Sequence, residues 1–306
     1  MQSVRSGAKA TQSSLGEFLI ERAIRLAGVS AIVLVALIFL FLIREGAPAF
    51  VQTPLSKLSA ARWYPVENYY GLRPLIFGSL LVTAGAAAIG LPLGLATAIF
   101  IAEVAPRWMR ELLKPFVEVL AGIPSVVLGF IGMLVLAPLL RRFTGAPTGL
   151  TGLTGSLLLA LMALPTIVSV AEDAIDAVPK SYRDGALALG ATRWQTIWRV
   201  VVPAARSGIL TAMMLGIGRA IGETMTVMMV TGNAARIPAG LADLFLPVRT
   251  MTATIAAEMG EVAQGSTHYH ILFAIGISLF LISFVINLAA AAVVFRQTRR
   301  SERVLS

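Results

Sequence analysis

An arginine and a glutamate stand four residues apart within a long apolar stretch, in the segment GIGRAIGETM (216–225). Arg219 is expected near the middle of a membrane-crossing helix, where burying a guanidinium costs about 2.5–3.5 kcal/mol on insertion scales. Its planar fork donates several charge-assisted hydrogen bonds at once, which suits a tetrahedral oxyanion. In a continuous helix Glu223 lies on the same face one turn later and partly neutralises this charge. The spacing predicts an anion-binding station, with the hydroxyl of Thr224 as a further donor.

The same two side chains also allow a purely structural interpretation. A buried Arg219–Glu223 pair can hold two helices together without any cargo. Gly218 and Gly222 would let a second helix approach closely, or leave room for a ligand beside the guanidinium. The residue pattern alone leaves both interpretations open.

Composition indicates a polytopic membrane protein. Of the 306 residues, 57% are hydrophobic and 13% are charged, whereas soluble domains carry about 25% charged residues; the mean hydropathy is +0.82. The sequence has no cysteine, and His268 and His270, which we interpret as part of an exposed loop, are too few ligands for a metal site. We therefore predict no metal. The net charge of +9 fits basic loops beside membrane lipid, so no nucleic-acid partner is predicted.

Six apolar runs have about the 20-residue length that spans a bilayer as a helix. They lie near residues 23–43, 74–102, 115–140, 155–175, 207–231 and 271–295. The predicted fold is all-α, with six transmembrane helices.

The basic residues predict the orientation. If the N-terminus is inside, the inside segments carry about twice as many Lys and Arg as the outside ones, so both termini are predicted to be cytoplasmic. The predicted segments are a cytoplasmic N-terminal segment (1–22), the first span with its periplasmic loop (23–73), a core (74–295) and a cytoplasmic tail (296–306).

The longest predicted cytoplasmic connection is VPKSYRDGALALGATRWQTIWRVVVPAA (178–205). Its pattern predicts two short helices with capping boxes that begin at Ser181 and Thr192. Gly190 suits the left-handed residue that ends the first helix. Such a helix–turn–helix offers a surface for a protein partner, or lies on lipid as an amphipathic segment.

This connection resembles the EAA loop of ABC importer permeases. Asp184-Gly185-Ala186 stands where that family has Glu-Ala-Ala, and Val200-x-Val202-Pro203 replaces its Ile-x-Leu-Pro. In the family this loop, residues 181–203 here, forms a coupling helix that docks into a cleft of the ATP-binding subunit. The contact residues that the resemblance implies are Arg183, Asp184, Gly185, Ala186, Leu187 and Gly190.

No lysine directly follows a glycine, so the sequence lacks the phosphate-cradling P-loop of an ATPase. We therefore predict that this chain has no cofactor of its own, that it is not an enzyme, and that ATP is bound by a partner subunit.

Two further stretches extend the resemblance. The segments GIGRAIGETMTVMMVTGN (216–233) and AGIPSVVLGF (121–130) are similar to the C-type permease subunits of the Pst phosphate-specific ABC importers, as is nearly the whole membrane part. This resemblance implies a type I ABC importer permease fold in the bacterial inner membrane, with Arg219 and Glu223 on the path of inorganic phosphate. It implies three partners: a homologous A-type permease in a heterodimer, an ATP-binding subunit in two copies, and a periplasmic phosphate-binding protein.

Other functions remain open at this stage. A related ABC permease could carry another oxyanion, such as sulfate or molybdate. A secondary carrier would move its anion without an ATPase. A membrane enzyme would need a nucleophile–base pair or a metal cluster, neither of which the sequence indicates, and a scaffold would sense phosphate without moving it.

Overall fold

The computed structural model describes residues 15–305, and the side chains of residues 17–289, 291 and 292. In chain order the helices are α1 (Leu15–Gln52), α2 (Leu55–Leu58), α3 (Arg73–Ile99), α4 (Arg107–Gly122), α5 (Ser125–Ile131), α6 (Ala137–Thr144), α7 (Gly152–Asp176), α8 (Lys180–Ala188), α9 (Arg193–Thr196), α10 (Val202–Ala204), α11 (Arg206–Gly222), α12 (Met225–Val230), α13 (Met251–Glu258) and α14 (Thr267–Leu305). One-turn π-helical segments follow α3, α5 and α9, at Phe100–Val104, Gly132–Leu136 and Ile197–Val201. Strands β1 (Trp63–Tyr64) and β2 (Tyr69–Tyr70) form a small antiparallel hairpin.

Five helical stretches in the described part of the chain are long and apolar enough to cross a membrane. They are Glu17–Gln52, Arg73–Val104, Ser125–Thr144, Gly152–Asp176 and Thr267–Ala289. The stretches Arg193–Ala204 and Arg206–Gly222, which meet at an angle of 71°, qualify as a sixth candidate only when they are taken together. The predicted all-α architecture is therefore confirmed, with five spans, or six if the bent pair is one span. Residues 1–14 and 306 of the predicted terminal segments lie outside the described residues, and α14 continues as helix through most of the predicted tail.

The predicted third span, 115–140, is wrong at its beginning. Helix α4 ends at Gly122, Ile123 is extended (φ −69°, ψ 125°), and the spanning helix begins only after Pro124. The cause is local, because a proline disfavours the helical conformation in the residue before it and has no N–H to donate.

Helix α4 is therefore a separate amphipathic helix. Four of its large apolar side chains are exposed, namely Trp108, Leu112, Phe116 and Val119. Its basic residues Arg110 and Lys114 contact carboxylates of α7. A helix with this division of surface suits the boundary between the bundle and an apolar environment.

The predicted fifth span, 207–231, is interrupted. Helix α11 ends at Gly222, Glu223 is extended (φ −69°, ψ 133°), and α12 starts at Met225. The freed carbonyl of Glu223 accepts a hydrogen bond of 2.9 Å from the hydroxyl of Thr252. A break at membrane depth is tolerated only where other protein groups satisfy the backbone, and Thr252 supplies one of those groups.

The centre of the bundle consists of α7 packed against α3 and α11, which also contact each other. Small residues set their spacing. A Cβ added at Gly94 of α3 would lie 2.6 Å from Ile167 of α7, and one added at Gly216 of α11 would lie 2.4 Å from the same side chain. Close approach over glycine is a common way for membrane helices to associate. Outside this centre, α1 packs along α14.

Candidate functional site

Arg219 lies in the last turn of α11, with an exposed side chain. Its Nη1 donates a hydrogen bond of 3.3 Å to the hydroxyl of Thr166 on α7. Among the described side chains it forms no ion pair, so most of its hydrogen-bonding capacity is available to a ligand. A cation in the last turn of a helix is also favoured by the helix dipole.

Glu223 does not share a helical face with Arg219, so the predicted i, i+4 arrangement is wrong. The helix between them ends at Gly222, and the half-buried Glu223 turns to the next helix. Its Oε1 accepts a hydrogen bond of 3.4 Å from the backbone N–H of Thr226, in the first turn of α12. Thr224 stands in the break itself and donates its hydroxyl to the carbonyl of Gly222 at 3.3 Å. The three predicted path residues therefore mark the break rather than one stripe along a helix.

A narrow cavity lies on the other side of the break, between α3, α11 and the segment that leads into α13. Its polar wall residues are Ser79, Thr83, Glu223, Thr250 and Thr252. It has room for about one water molecule, so it suits a bridging water and is too small for an oxyanion.

The interruptions in two spans meet. The hydroxyl of Thr226, just after the break at Glu223, donates a hydrogen bond of 2.8 Å to the carbonyl of Ser125, just after Pro124. Thr226 is fully buried, so its hydroxyl joins α12 to α5 and does not face an open path. The sequence did not predict the contacts made by Thr166, Thr252 and Ser125. A threonine or serine inside an apolar run looks the same in the sequence whether it bonds to a neighbouring helix or to its own backbone.

The predicted helix–turn–helix between the fourth and fifth spans is present. Gly190 has a left-handed backbone (φ +84°) and ends the first helix. Thr192 caps the second helix in a complete capping box with Gln195. The box predicted at Ser181 is wrong, because α8 already begins at Lys180, after Pro179.

The surface of α8 is open. Asp184, Gly185 and Leu187 are exposed, Ala186 is half-buried, and a Cβ added at Gly185 or at Gly190 would meet no atom within 4 Å. Helix α8 thus presents a small-residue surface onto which another protein can pack closely.

Arg183 differs from its neighbours on α8, because its side chain is directed into this chain. It is 20% exposed and bonds to Glu103, which follows α3 and is 12% exposed. The predicted contact of Arg183 with an ATP-binding subunit stays a prediction.

At the opposite end of the bundle, Glu258 accepts hydrogen bonds from three side chains. Arg249 donates at 2.5 Å, His268 lies at 2.8 Å, and the indole of Trp63 donates at 3.1 Å. Burial would raise the pKa of Glu258, but the hydrogen bonds from His268 and Trp63 and the charge of Arg249 outweigh it and lower the pKa below its usual value.

The expectation that His268 and His270 belong to an exposed loop is wrong. Both lie in the first turn of α14, and His270 contacts the carbonyl of Glu45 through Nδ1 at 2.7 Å. Within the described residues, no group of three or more His, Asp or Glu side chains is arranged to hold a metal ion.

Comparison with known proteins shows the class of protein to which this fold and this surface belong. The profile of the family described as "Binding-protein-dependent transport system inner membrane component" matches residues 90–299. Two solved structures share the fold at 19% identity. A bacterial alginate ABC transporter gives a TM-score of 0.59 over 90% of this chain and 95% of its own, and the MetNI methionine ABC transporter gives 0.54 over 74% and 94%.

Relatives with similar sequences show more closely which kind of ABC transporter permease this chain is. The probable ABC transporter permease protein YqgH of Bacillus subtilis is 42% identical over 253 residues, which is 81% of each chain. The phosphate transport system permease protein PstC of Mesorhizobium japonicum is 36% identical over 322 residues, covering 98% of this chain and 97% of the relative. A PstC of Xylella fastidiosa is 34% identical over 88% of both. The chain therefore belongs to the family of binding-protein-dependent inner-membrane transport components, as a type I ABC importer permease of the PstC kind. It is a multi-pass protein of the inner membrane.

Proposed function

We infer that this chain is the permease subunit of an ATP-driven importer that carries inorganic phosphate across the bacterial inner membrane. The observation that carries the inference is the relationship, along 98% of the chain, to a phosphate transport system permease. The described structure adds a physical basis, because an exposed guanidinium lies beside a break in a spanning helix.

Arg219 supplies the anion station in this proposal. The hydroxyl of Thr166 holds one nitrogen of its guanidinium, and the remaining N–H groups are free to donate charge-assisted hydrogen bonds to the oxygens of phosphate. Since Arg219 has no carboxylate partner among the described side chains, phosphate does not have to displace one. Glu223 and Thr224, in the break, contribute a carboxylate and a hydroxyl beside the path. The carboxylate would limit how long the anion stays.

The open surface of α8 supports a proposal about the energy source and the partners. We propose that Asp184, Gly185, Ala186, Leu187 and Gly190 pack against an ATP-binding subunit, present in two copies, which hydrolyses the ATP. The end of the bundle with α8, together with both termini, then faces the cytoplasm. A homologous A-type permease completes a heterodimer, and a periplasmic phosphate-binding protein delivers phosphate at the opposite end.

Reconstitution tests the proposal. The chain is inserted into proteoliposomes with the A-type permease, the ATP-binding subunit and the binding protein, and uptake of labelled phosphate is measured with and without ATP. We expect uptake that requires ATP and that unlabelled phosphate suppresses, while sulfate and molybdate do not. Equal suppression by sulfate or molybdate would indicate a permease for another oxyanion. Uptake by this chain without the ATP-binding subunit would indicate a secondary carrier.

A further inference from the structure

The guanidinium of Arg183 joins the coupling helix α8 to two spanning helices at once. Its Nε and Nη2 both donate to Oε1 of Glu103, at 2.9 Å and 2.6 Å. Its Nη1 donates to the carbonyl of Val178 at 2.5 Å, and Nη2 also donates to the carbonyl of Ile175 at 3.0 Å. One side chain on α8 thus holds both the end of α3 and the end of α7.

Burial shields the contact between Arg183 and Glu103 from solvent. The Arg183 and Glu103 side chains are 20% and 12% exposed, whereas those of the Arg107–Glu111 pair on α4 are 93% and 67% exposed. Solvent and salt screen exposed pairs strongly and buried pairs much less. Glu103 also belongs to the π-helical turn Phe100–Val104, and such turns are frequent at functional positions.

Neighbouring charges extend the connection to α4. Lys114 lies 3.4 Å from Glu172 and 3.8 Å from Asp173, and Arg110 lies 3.8 Å from Asp176. Glu172 is buried, whereas Asp173 and Asp176 at the same end of α7 are exposed. Charged side chains therefore join the end of α7 to α4 as well as to α8.

We propose that Arg183 and Glu103 are a positioning pair that transmits a displacement of α8 to the anion site. Helix α7 is continuous from its end beside Arg183 to Thr166, which bonds Arg219. When a partner moves α8, the ends of α3 and α7 must follow, and Thr166 moves with them. This inference rests on the proposed function, and it assigns to Arg183 a task inside this chain rather than at the ATPase surface.

A double-mutant cycle tests the pair in the complete reconstituted transporter. Glu103→Ala, Arg183→Ala and the double variant are compared for phosphate uptake, for ATP hydrolysis, and for retention of the ATP-binding subunit on purification. We expect each single variant to retain the subunit and to hydrolyse ATP, but to move about tenfold less phosphate per ATP, within the range typical of coupling energies. The double variant should lose no more than the worse single variant, because the two residues act through one contact.

The matched control is the same double-mutant cycle with Arg107→Ala and Glu111→Ala. These two residues form an exposed arginine–glutamate pair with a nitrogen–oxygen distance of 3.0 Å, compared with 2.6 Å for Arg183 and Glu103. It should leave phosphate moved per ATP unchanged. The proposal is overturned if the losses at Arg183 and Glu103 simply multiply, if the ratio stays at the wild-type value, or if Arg183→Ala releases the ATP-binding subunit. Failure of the wild-type complex to import phosphate would instead contradict the proposed function.

Discussion

Replacing Arg219 with glutamine separates a role in transport from a role in holding helices together. Glutamine keeps a polar amide, but its side chain is two bonds shorter and carries no positive charge. The Arg219 side chain is exposed, and within the described part of the chain it makes one hydrogen bond of 3.3 Å, to Thr166. A hydrogen bond of this kind contributes about 0.5–1.5 kcal/mol to folding, so the thermal midpoint of the assembled transporter should hardly change.

Transport should change far more than stability. A hydrogen bond to a charged group contributes about 1.5–3 kcal/mol, and every 1.4 kcal/mol is about a factor of ten. Loss of one such bond to phosphate predicts ATP-dependent uptake lower by about 10- to 100-fold. Arg219→Lys, which keeps the charge but not the planar fork, should lie between the wild type and Arg219→Gln. Uptake of labelled phosphate into proteoliposomes and thermal unfolding of the same preparations measure the two effects.

The matched control is Arg206→Gln, at the exposed first residue of the same helix α11. It should leave uptake within about twofold of the wild type, as expected for a surface position. If Arg219 were instead half of a buried ion pair, its removal would cost about 3–5 kcal/mol of stability. A loss of stability of that size, or wild-type uptake by Arg219→Gln, would refute the assignment of Arg219 to the path.

Two further changes test the packing and the charge cluster around Glu258. Gly78→Ala places a Cβ 2.2 Å from the carbonyl oxygen of Arg249, so the free energy of unfolding should fall by about 1–3 kcal/mol. The control variant, Gly28→Ala, adds a Cβ that meets no atom within 4 Å, and it should cause no such loss. Equal thermal midpoints for the two variants would contradict the close approach of Gly78 to Arg249. Because the folded pKa of Glu258 is lowered, its stabilisation is complete above the usual glutamate pKa and is lost as the pH falls through the folded value. Thermal unfolding across this acidic range should therefore be more pH-dependent for the wild type than for Glu258→Gln, and identical pH profiles would show that the carboxylate adds nothing.

Most features that depend on neighbours in the sequence were predicted correctly, although the capping box at Ser181 was wrong. Apolar runs of membrane length gave the number of spans, since a bilayer requires about 20 apolar residues whatever the rest of the fold does. Gly190 and Thr192 were assigned correctly because helix caps are decided within a few residues. The start of the third span was missed although Pro124 lies in the sequence, because the apolar pattern continues across it.

The features that depend on distant residues could not be predicted. The helix break at Glu223 is completed by Thr252, which follows 29 residues later in the chain. Arg183 meets a glutamate 80 residues before it, and Arg219 bonds Thr166 rather than the carboxylate four residues away. Sequence spacing describes the faces of regular helices, and it stops being informative where a helix ends.

Ile167, the residue after Thr166, packs between three helices beside the proposed anion site. Its side chain fills the space beside Gly94 on α3 and beside Gly216 on α11, so the backbones of α3, α7 and α11 all pack around one isoleucine. Separating those helices would leave a cavity around Ile167, and a cavity in a packed core lowers stability. Alternating access therefore costs less free energy if α3, α7 and α11 stay packed together as one body that moves relative to the surrounding helices. In that picture a displacement of α8 moves the three helices as one unit, so Thr166 and Arg219 keep their spacing while the unit shifts against the surrounding helices.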